Sequence, residues 1–171
     1  MKLVVFLFFW VCTFHLGNRL QAQVIEPDYK KMIESYYESF PLIHPELLQS
    51  SLKNDSEMVI LDTREREEFA VSHIPGARYF GYENKNWKSL AGLSKDTEII
   101  VYCSIGARSQ NIGKELKRKG YTNVKNLYGG VFLWANQRRP LEDNRGIPTN
   151  KVHGYDEDWG KWIKNAEAVY E

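Results

Sequence analysis

The sequence predicts an α/β fold with a parallel sheet covered by helices on both faces. Three observations carry this. Strand-like and helix-like segments alternate through the middle of the chain. The strand-like segments, such as "EMVILDTR" (57–64) and "EIIVYC" (98–103), are continuous apolar runs rather than alternating ones, as expected of strands buried on both sides. The clearest of these runs ends on Cys103, at the carboxyl end of a strand, where open parallel sheets bind their ligands.

Taken in order, Tyr29, Met32, Ile33, Tyr36, Tyr37 and Phe40 fall at helical spacing. This predicts an amphipathic N-terminal helix stopped by Pro41. "HPELLQSSL" comes next, with Pro45 suited to a first helical position. "EMVILDTR" is a buried strand and "EREEFAVS" a short helix whose main apolar contact is Phe69. Pro75-Gly76 fits a type II turn, because glycine accepts the positive φ required there. "ARYF" is the second strand and "EIIVYC" the third. "QNIGKELKRKG" is a helix closed by Gly120, and "NVKNLY" a fourth strand. "GGVFLWANQ" opens another helix. In the tail, Trp159, Trp162, Ile163, Ala166, Val169 and Tyr170 share one helical face. This predicts a final helix with Asp156 as its N-cap, packed on the sheet domain.

The chain has 171 residues, a formal net charge of +1, 43% hydrophobic and 26% charged residues. Such a length suits one domain. The balanced charge gives no reason to expect nucleic acid or an anionic membrane as partner. No period of a repeat protein recurs. The first segment stands apart. "MKLVVFLFFWVCTFHLGNRLQAQ" has Lys2, an apolar run from Leu3 to Phe14, then polar residues and Ala22. It reads as a secretory signal peptide over residues 1–22, too short to span a membrane comfortably. Cys12 comes after "FWV", without the small residue that a lipid-anchor signal places before its cysteine. The expected organisation is a signal peptide (1–22), an N-terminal helical extension (23–40), a main domain (41–140), and a C-terminal loop and helix packed on it (141–171). The expected location is periplasmic or extracellular, with no membrane association after cleavage.

Cleavage would leave Cys103 as the sole cysteine, so no internal disulfide is expected. A lone cysteine is by default a small buried side chain. The residues after Cys103 argue otherwise. "CSIGAR" places small residues between Cys103 and Arg108 and then opens a helix. Gly106 takes backbone angles closed to other residues. A loop of this kind turns successive amides inward as an anion-binding nest. The helix start adds its positive dipole end and Arg108 a full charge. Together these favour a thiolate. "GARSQNIGK" is not a phosphate loop, because its glycines are too far apart and Glu115 stands where the metal-binding Ser/Thr belongs. No paired cysteines or His-Glu-x-x-His element suggests a metal, and no cofactor is expected. His44, His73 and His153 are scattered, and His73 reads as a turn residue rather than a base.

Two blocks resemble the rhodanese family of sulfurtransferases in its single-domain form. "LDTREREEFAVSHIPGARYF" (61–80) is similar to the family's Asp-x-Arg strand end followed by His-Ile-Pro-Gly-Ala. "IVYCSIGARSQNIGKELKRKGYTNVKNLYGGVFLW" (100–134) resembles its active-site strand, loop and helix and its Gly-Gly-x-x-x-Trp segment. The resemblance covers about residues 41–140. It implies a five-stranded parallel sheet flanked by helices on both faces, here with extra N- and C-terminal helices. It also implies a mechanism in which the Cys103 thiolate takes the outer sulfur of a donor such as thiosulfate, or of a persulfide. The resulting persulfide passes its sulfur to a thiol or cyanide. The amides of Ser104, Ile105, Gly106, Ala107, Arg108 and Ser109 would hold the outer sulfur, with Arg108 helping to bind an anionic donor. Asp62, Arg64 and Glu68 would hold the neighbouring loop by ion pairs.

Related phosphatases and arsenate reductases place one residue more between cysteine and arginine. The shorter loop here suits a sulfur atom. The other alternative is a non-catalytic or regulatory binding module on the same scaffold. His153 or Tyr155 approaching the Cys103 pocket is a further expectation, motivated by a polar, aromatic loop with no other evident task.

Overall fold

The computed structural model describes residues 25–54 and 57–170. The signal-peptide reading of residues 1–22 lies outside the described residues.

Five strands form one parallel sheet. They are β1 (Leu42–Ile43), β2 (Val59–Asp62), β3 (Arg78–Tyr79), β4 (Ile99–Tyr102) and β5 (Val124–Leu127), in the order β1-β5-β4-β2-β3. The apolar runs decide which strands are central. Every residue of β2 and β4 is buried, and Val59, Ile60, Leu61 and Asp62 lie opposite Ile99, Ile100, Val101 and Tyr102. On the other side of β4, Ile99 and Val101 pair with Val124 and Asn126 of β5. Because side chains alternate across a strand, β4 feeds two cores. Ile99 and Val101 join Val59, Leu61 and Val124 on one face, under Ile112 and Leu116 of α4 (Ala107–Arg118). Ile100 and Tyr102 join Ile60 and Leu127 on the other. There they pack with Tyr29 and Ile33 of α1 (Pro27–Glu34), Leu48 of α2 (Pro45–Lys53), and Val131 to Ala135 of α5 (Gly130–Asn136). α3 (Arg66–Val71) comes after β2 and carries a capping box, in which the Glu65 amide donates to Glu68 Oε2 at 3.0 Å. The Pro75-Gly76 turn is present, with Gly76 at φ +77° and the Ala77 amide bonded to Ile74 O at 2.9 Å.

The two ends of the described chain depart from expectation. The first helix stops at Glu34 rather than at Pro41. Beyond it, Tyr37 Oη donates to Ile105 O at 2.8 Å and accepts from the Gly129 amide at 2.6 Å. Phe40 packs so closely on Gly113 that a Cβ there would lie 2.5 Å from the ring. Two long-range hydrogen bonds and a ring packed on α4 outweigh continued helical spacing. In the tail, the expected long helix is a single turn, α6 (Glu157–Gly160). Asp156 caps it as expected, accepting from the Trp159 amide at 2.9 Å. Asn136 then captures the chain. Its Oδ1 accepts from the Lys164 amide at 2.7 Å, and its Nδ2 donates to Trp162 O at 2.8 Å. Residues after this leave as β7 (Glu167–Val169), parallel to β6 (Lys151–His153) in a separate two-stranded sheet. The apolar face of the tail is thus shared between a turn and a strand.

Gly130 sits at φ +56°, and a Cβ on it would strike the carbonyl oxygens of Cys103 and Ser104. Backbone cannot swing aside as a side chain does. Gly130→Ala is therefore expected to cost more than about 3 kcal/mol. Gly76→Ala, at a similar positive φ with nothing within 4 Å of the added carbon, should cost only about 1–2 kcal/mol. Urea denaturation of the two variants measures the difference.

Candidate active site

The candidate site lies at the carboxyl end of β4. Cys103 directly succeeds the strand, 1% exposed. Gly106, at φ +103°, turns the chain into α4, and its amide points at the Cys103 sulfur, 3.2 Å away. The amides of the next residues open the helix, where by geometry they have no intrahelical acceptor. The amides face inward because the carbonyls are drawn outward. Cys103 O accepts from the Val131 amide at 2.9 Å, and Ser104 O from the Phe132 amide at 3.0 Å. Ile105 O accepts from Tyr37 Oη, and Gly106 O from Asn126 Nδ2 at 2.9 Å. Four consecutive carbonyls are held by three different parts of the fold: α5, the segment after α1, and β5.

Tyr29 Oη adds a bond to Gly129 O at 2.8 Å. Burial pushes the phenols of Tyr29 and Tyr37 well above their ordinary pKa, so both stay neutral and act as braces rather than as bases. Ser109 is fully buried and donates to Asn126 Oδ1 at 2.7 Å. Its side chain supports the loop from beneath.

Two ion pairs stand beside the loop. Asp62 and Arg64 form a wholly buried pair at the end of β2, 2.6 Å between Oδ2 and Nη2, with Nη2 also donating to Ser72 O. Burial alone would lower the Arg64 pKa, but the Asp62 charge and hydrogen bonds outweigh it and raise it. Glu68 forms the second ion pair. It grips Arg108 of the cysteine loop itself, with Arg108 Nη1 and Nη2 donating to Oε2 and Oε1 at 2.9 and 2.8 Å. Ser104 Oγ donates to the same carboxylate at 3.1 Å. Burial pushes the Glu68 carboxyl up, and the hydrogen bonds and charge of Arg108 outweigh it, leaving it below the usual carboxylate range. Arg108 therefore meets the site with its charge matched.

A pocket of about 200 Å³ opens over the sulfur. Its lining is Tyr36, Cys103, Ser104, Ile105, Ala107, Arg108, Tyr155 and Trp159. Four of the sequence-derived candidates around Cys103 line it, namely Ser104, Ile105, Ala107 and Arg108. Gly106 contributes its amide, and Ser109 serves the scaffold. Tyr155 reaches the pocket, with the Arg108 guanidinium 5.4 Å from its ring centroid. His153 does not line it. Instead its Nδ1 accepts from the Tyr155 amide at 3.0 Å, and burial pulls its pKa below the ordinary value. Sequence reasoning missed Tyr36, Tyr37, Asn126 and Trp159. The two tyrosines were hidden inside a helical pattern, and Trp159 inside a packing stripe.

The lowered Glu68 pKa fixes the sign of a pH effect. A carboxylate favoured in the folded state stabilises fully above its unfolded-state pKa of about 4.3 and loses that contribution as pH falls through the folded value. Glu68→Gln is expected to cost about 2–4 kcal/mol at pH 7, since it leaves Arg108 without its buried counter-charge. Below about pH 4.5 its stability should fall less steeply than that of the parent. Thermal melts across pH 3 to 7 check both statements.

Comparison with known proteins agrees with this geometry. The profile of the rhodanese-like domain matches residues 44–137. A sulfurtransferase of Allochromatium vinosum is 30% identical over 99 residues, covering 58% of this chain and 92% of that protein. The "Probable adenylyltransferase/sulfurtransferase MoeZ" of Mycobacterium tuberculosis is also 30% identical over 99 residues, 57% of this chain. The match spans only 25% of the MoeZ sequence. Among solved structures, the rhodanese-like domain of the Anabaena protein Alr3790 aligns with TM-score 0.56 and 27% identity, over 60% of this chain and 79% of that one. With a match over more than half of its length, and a five-stranded parallel sheet flanked by helices, the chain belongs to the rhodanese-like family.

Proposed function

We propose that this protein is a sulfurtransferase that carries sulfane sulfur as a persulfide on Cys103. The observation that carries the reading is the loop itself: an amide already directed at the Cys103 sulfur, with four carbonyls turned away from it. Such a cradle suits negative charge on sulfur and on one further sulfur bound to it. The sulfurtransferase assignment of the Allochromatium relative supports the same chemistry.

In the first half-reaction the Cys103 thiolate attacks the outer sulfur of the donor, and the donor's inner sulfur leaves with the bonding electron pair. In the second, an acceptor thiolate or cyanide attacks the outer persulfide sulfur and Cys103 leaves as thiolate. The amides from Ser104 to Ser109 would hold the outer sulfur between the two steps. Glu68 fixes Arg108 and Ser104, which keeps the cradle open before the donor arrives. The engagement of Arg108 by Glu68 also counts against a phosphatase-like reading, where the arginine's donors are needed by a tetrahedral anion. Residues 1–22 fit an export signal, so the same proposal places the mature protein outside the cytoplasm, beginning at Gln23.

Mass spectrometry of the secreted protein tests the whole reading. The mature mass should correspond to residues 23–171. Thiosulfate or an organic donor should add the mass of one sulfur, cyanide or a thiol should remove it, and Cys103→Ser should gain none. If several donors leave Cys103 unmodified, sulfur transfer is ruled out. A binding partner retained equally by Cys103→Ser would then point to a regulatory module.

A further inference from the structure

The aromatic walls of the Cys103 pocket do not come from the segment that resembles the family, which supplies Cys103, Ser104, Ile105, Ala107 and Arg108. Tyr36 comes from the stretch after α1, Tyr155 from the turn before α6, and Trp159 from α6 itself. Tyr36 and Trp159 meet across the opening with ring centroids 5.9 Å apart. Tyr36 and Tyr155 stay 46% and 55% exposed, so folding alone gives little reason to gather aromatic rings there. Tyr155 also holds a φ of +70°, which is costly for a bulky residue and persists where surrounding structure enforces it. The His153 bond to the Tyr155 amide and the nearby Arg108 guanidinium are the enforcing contacts.

Charge and size narrow the occupant. Among the described residues, Arg108 is the one charged side chain lining the pocket, and Glu68 already matches it with two hydrogen bonds. The loop amides suit one negative charge on sulfur. A second charge on the donor would sit against tyrosine and tryptophan rings without an unmatched cation in the lining, which is unfavourable. A cavity of about 150 Å³ accepts a benzene ring, so about 200 Å³ leaves room for one ring and a sulfur head.

Resting on the sulfurtransferase reading, we propose that the donor is a singly charged organic sulfane-sulfur compound with an apolar body, R–S–S⁻ or R–SO₂–S⁻, held by Tyr36, Tyr155 and Trp159. The chemistry balances without an oxidant or reductant. Cys103 thiolate bonds to the outer sulfur, the S–S bond of the donor breaks, and the electron pair leaves on the R-bearing sulfur as thiolate or sulfinate. The rings contact R and leave the cysteine cradle unchanged.

Benzenethiosulfonate and inorganic thiosulfate form a matched pair of probes, differing in body and charge but not in the bond broken. The rate of Cys103 persulfide formation should favour benzenethiosulfonate, and calorimetry with Cys103→Ser should show the same preference in binding. Trp159→Ala should reduce the benzenethiosulfonate-to-thiosulfate ratio about five- to tenfold, the worth of one aromatic contact, and Trp159→Phe should restore most of it. If persulfide forms equally fast from both donors, or Trp159→Ala leaves the ratio unchanged, the organic-donor proposal falls and sulfur transfer stands. If Cys103→Ser binds the aryl probe preferentially but the parent never forms a persulfide, sulfur transfer falls and only the pocket's ligand class survives.

Discussion

The structure depends on one constraint: the loop after β4 turns four consecutive carbonyls away from the Cys103 sulfur, and those carbonyls need partners elsewhere. Peptide groups are obligatory hydrogen-bonding units, and a buried carbonyl without a donor is costly. The chain supplies four donors in sequence. Val131 and Phe132 amides serve Cys103 and Ser104, Tyr37 serves Ile105, and Asn126 serves Gly106. Each donor lies on a different element or segment from the loop. The active-site strand, the N-terminal extension, β5 and the Gly129-Gly130 turn are thereby tied to one geometry, and Gly130 must lack a side chain because the loop backbone lies against it.

Electrostatics obeys the same logic. Cationic and anionic partners close on each other rather than on the pocket. Asp62 neutralises Arg64 in the interior, and Glu68 neutralises Arg108 at the rim of the loop. Breaking either pair would strand a buried charge, and the Glu68–Arg108 pair also fixes the loop's position at little net charge. The attraction left for an incoming sulfur anion is mainly that of oriented amides and of the α4 terminus, which act over a short range and favour a small anionic head.

Much of the sheet was legible because its central strands β2 and β4 are short, nearly continuous apolar runs. β2, β4 and the position of Cys103 can be read from those runs, β5 from the shorter pattern of "NVKNLY", and Gly76 and Asp156 occupy the turn and cap that their chemistry suggests. What stayed hidden was set by partners distant in sequence. Nothing near Tyr37 announces that its hydroxyl bonds Ile105 and Gly129. Arg108 looks like a free anion-binding group until Glu68, on the helix after β2, is brought against it. The tail has helical spacing from Trp159 to Tyr170, yet Asn136 holds its middle and β6 pairs with its end. Local periodicity cannot register such competition, since the competing hydrogen bonds come from elsewhere in the fold.

The meeting of Tyr36 with Trp159 over Cys103 has an evolutionary corollary. Four of the five sheet strands, the cysteine loop and its helix fall within the matched region, while the aromatic walls of the pocket come from the two flanking segments. On the proposed reading, the residues that select the donor lie in other parts of the gene than the reacting cysteine. Mutations at Tyr36, Tyr155 or Trp159 would then retune which compound is admitted without touching the reacting sulfur, so a lineage could exchange one donor for another while inheriting its cysteine loop. The same partition warns that trimming the protein to its homologous centre would also remove Tyr37, and with it a brace of the reactive loop.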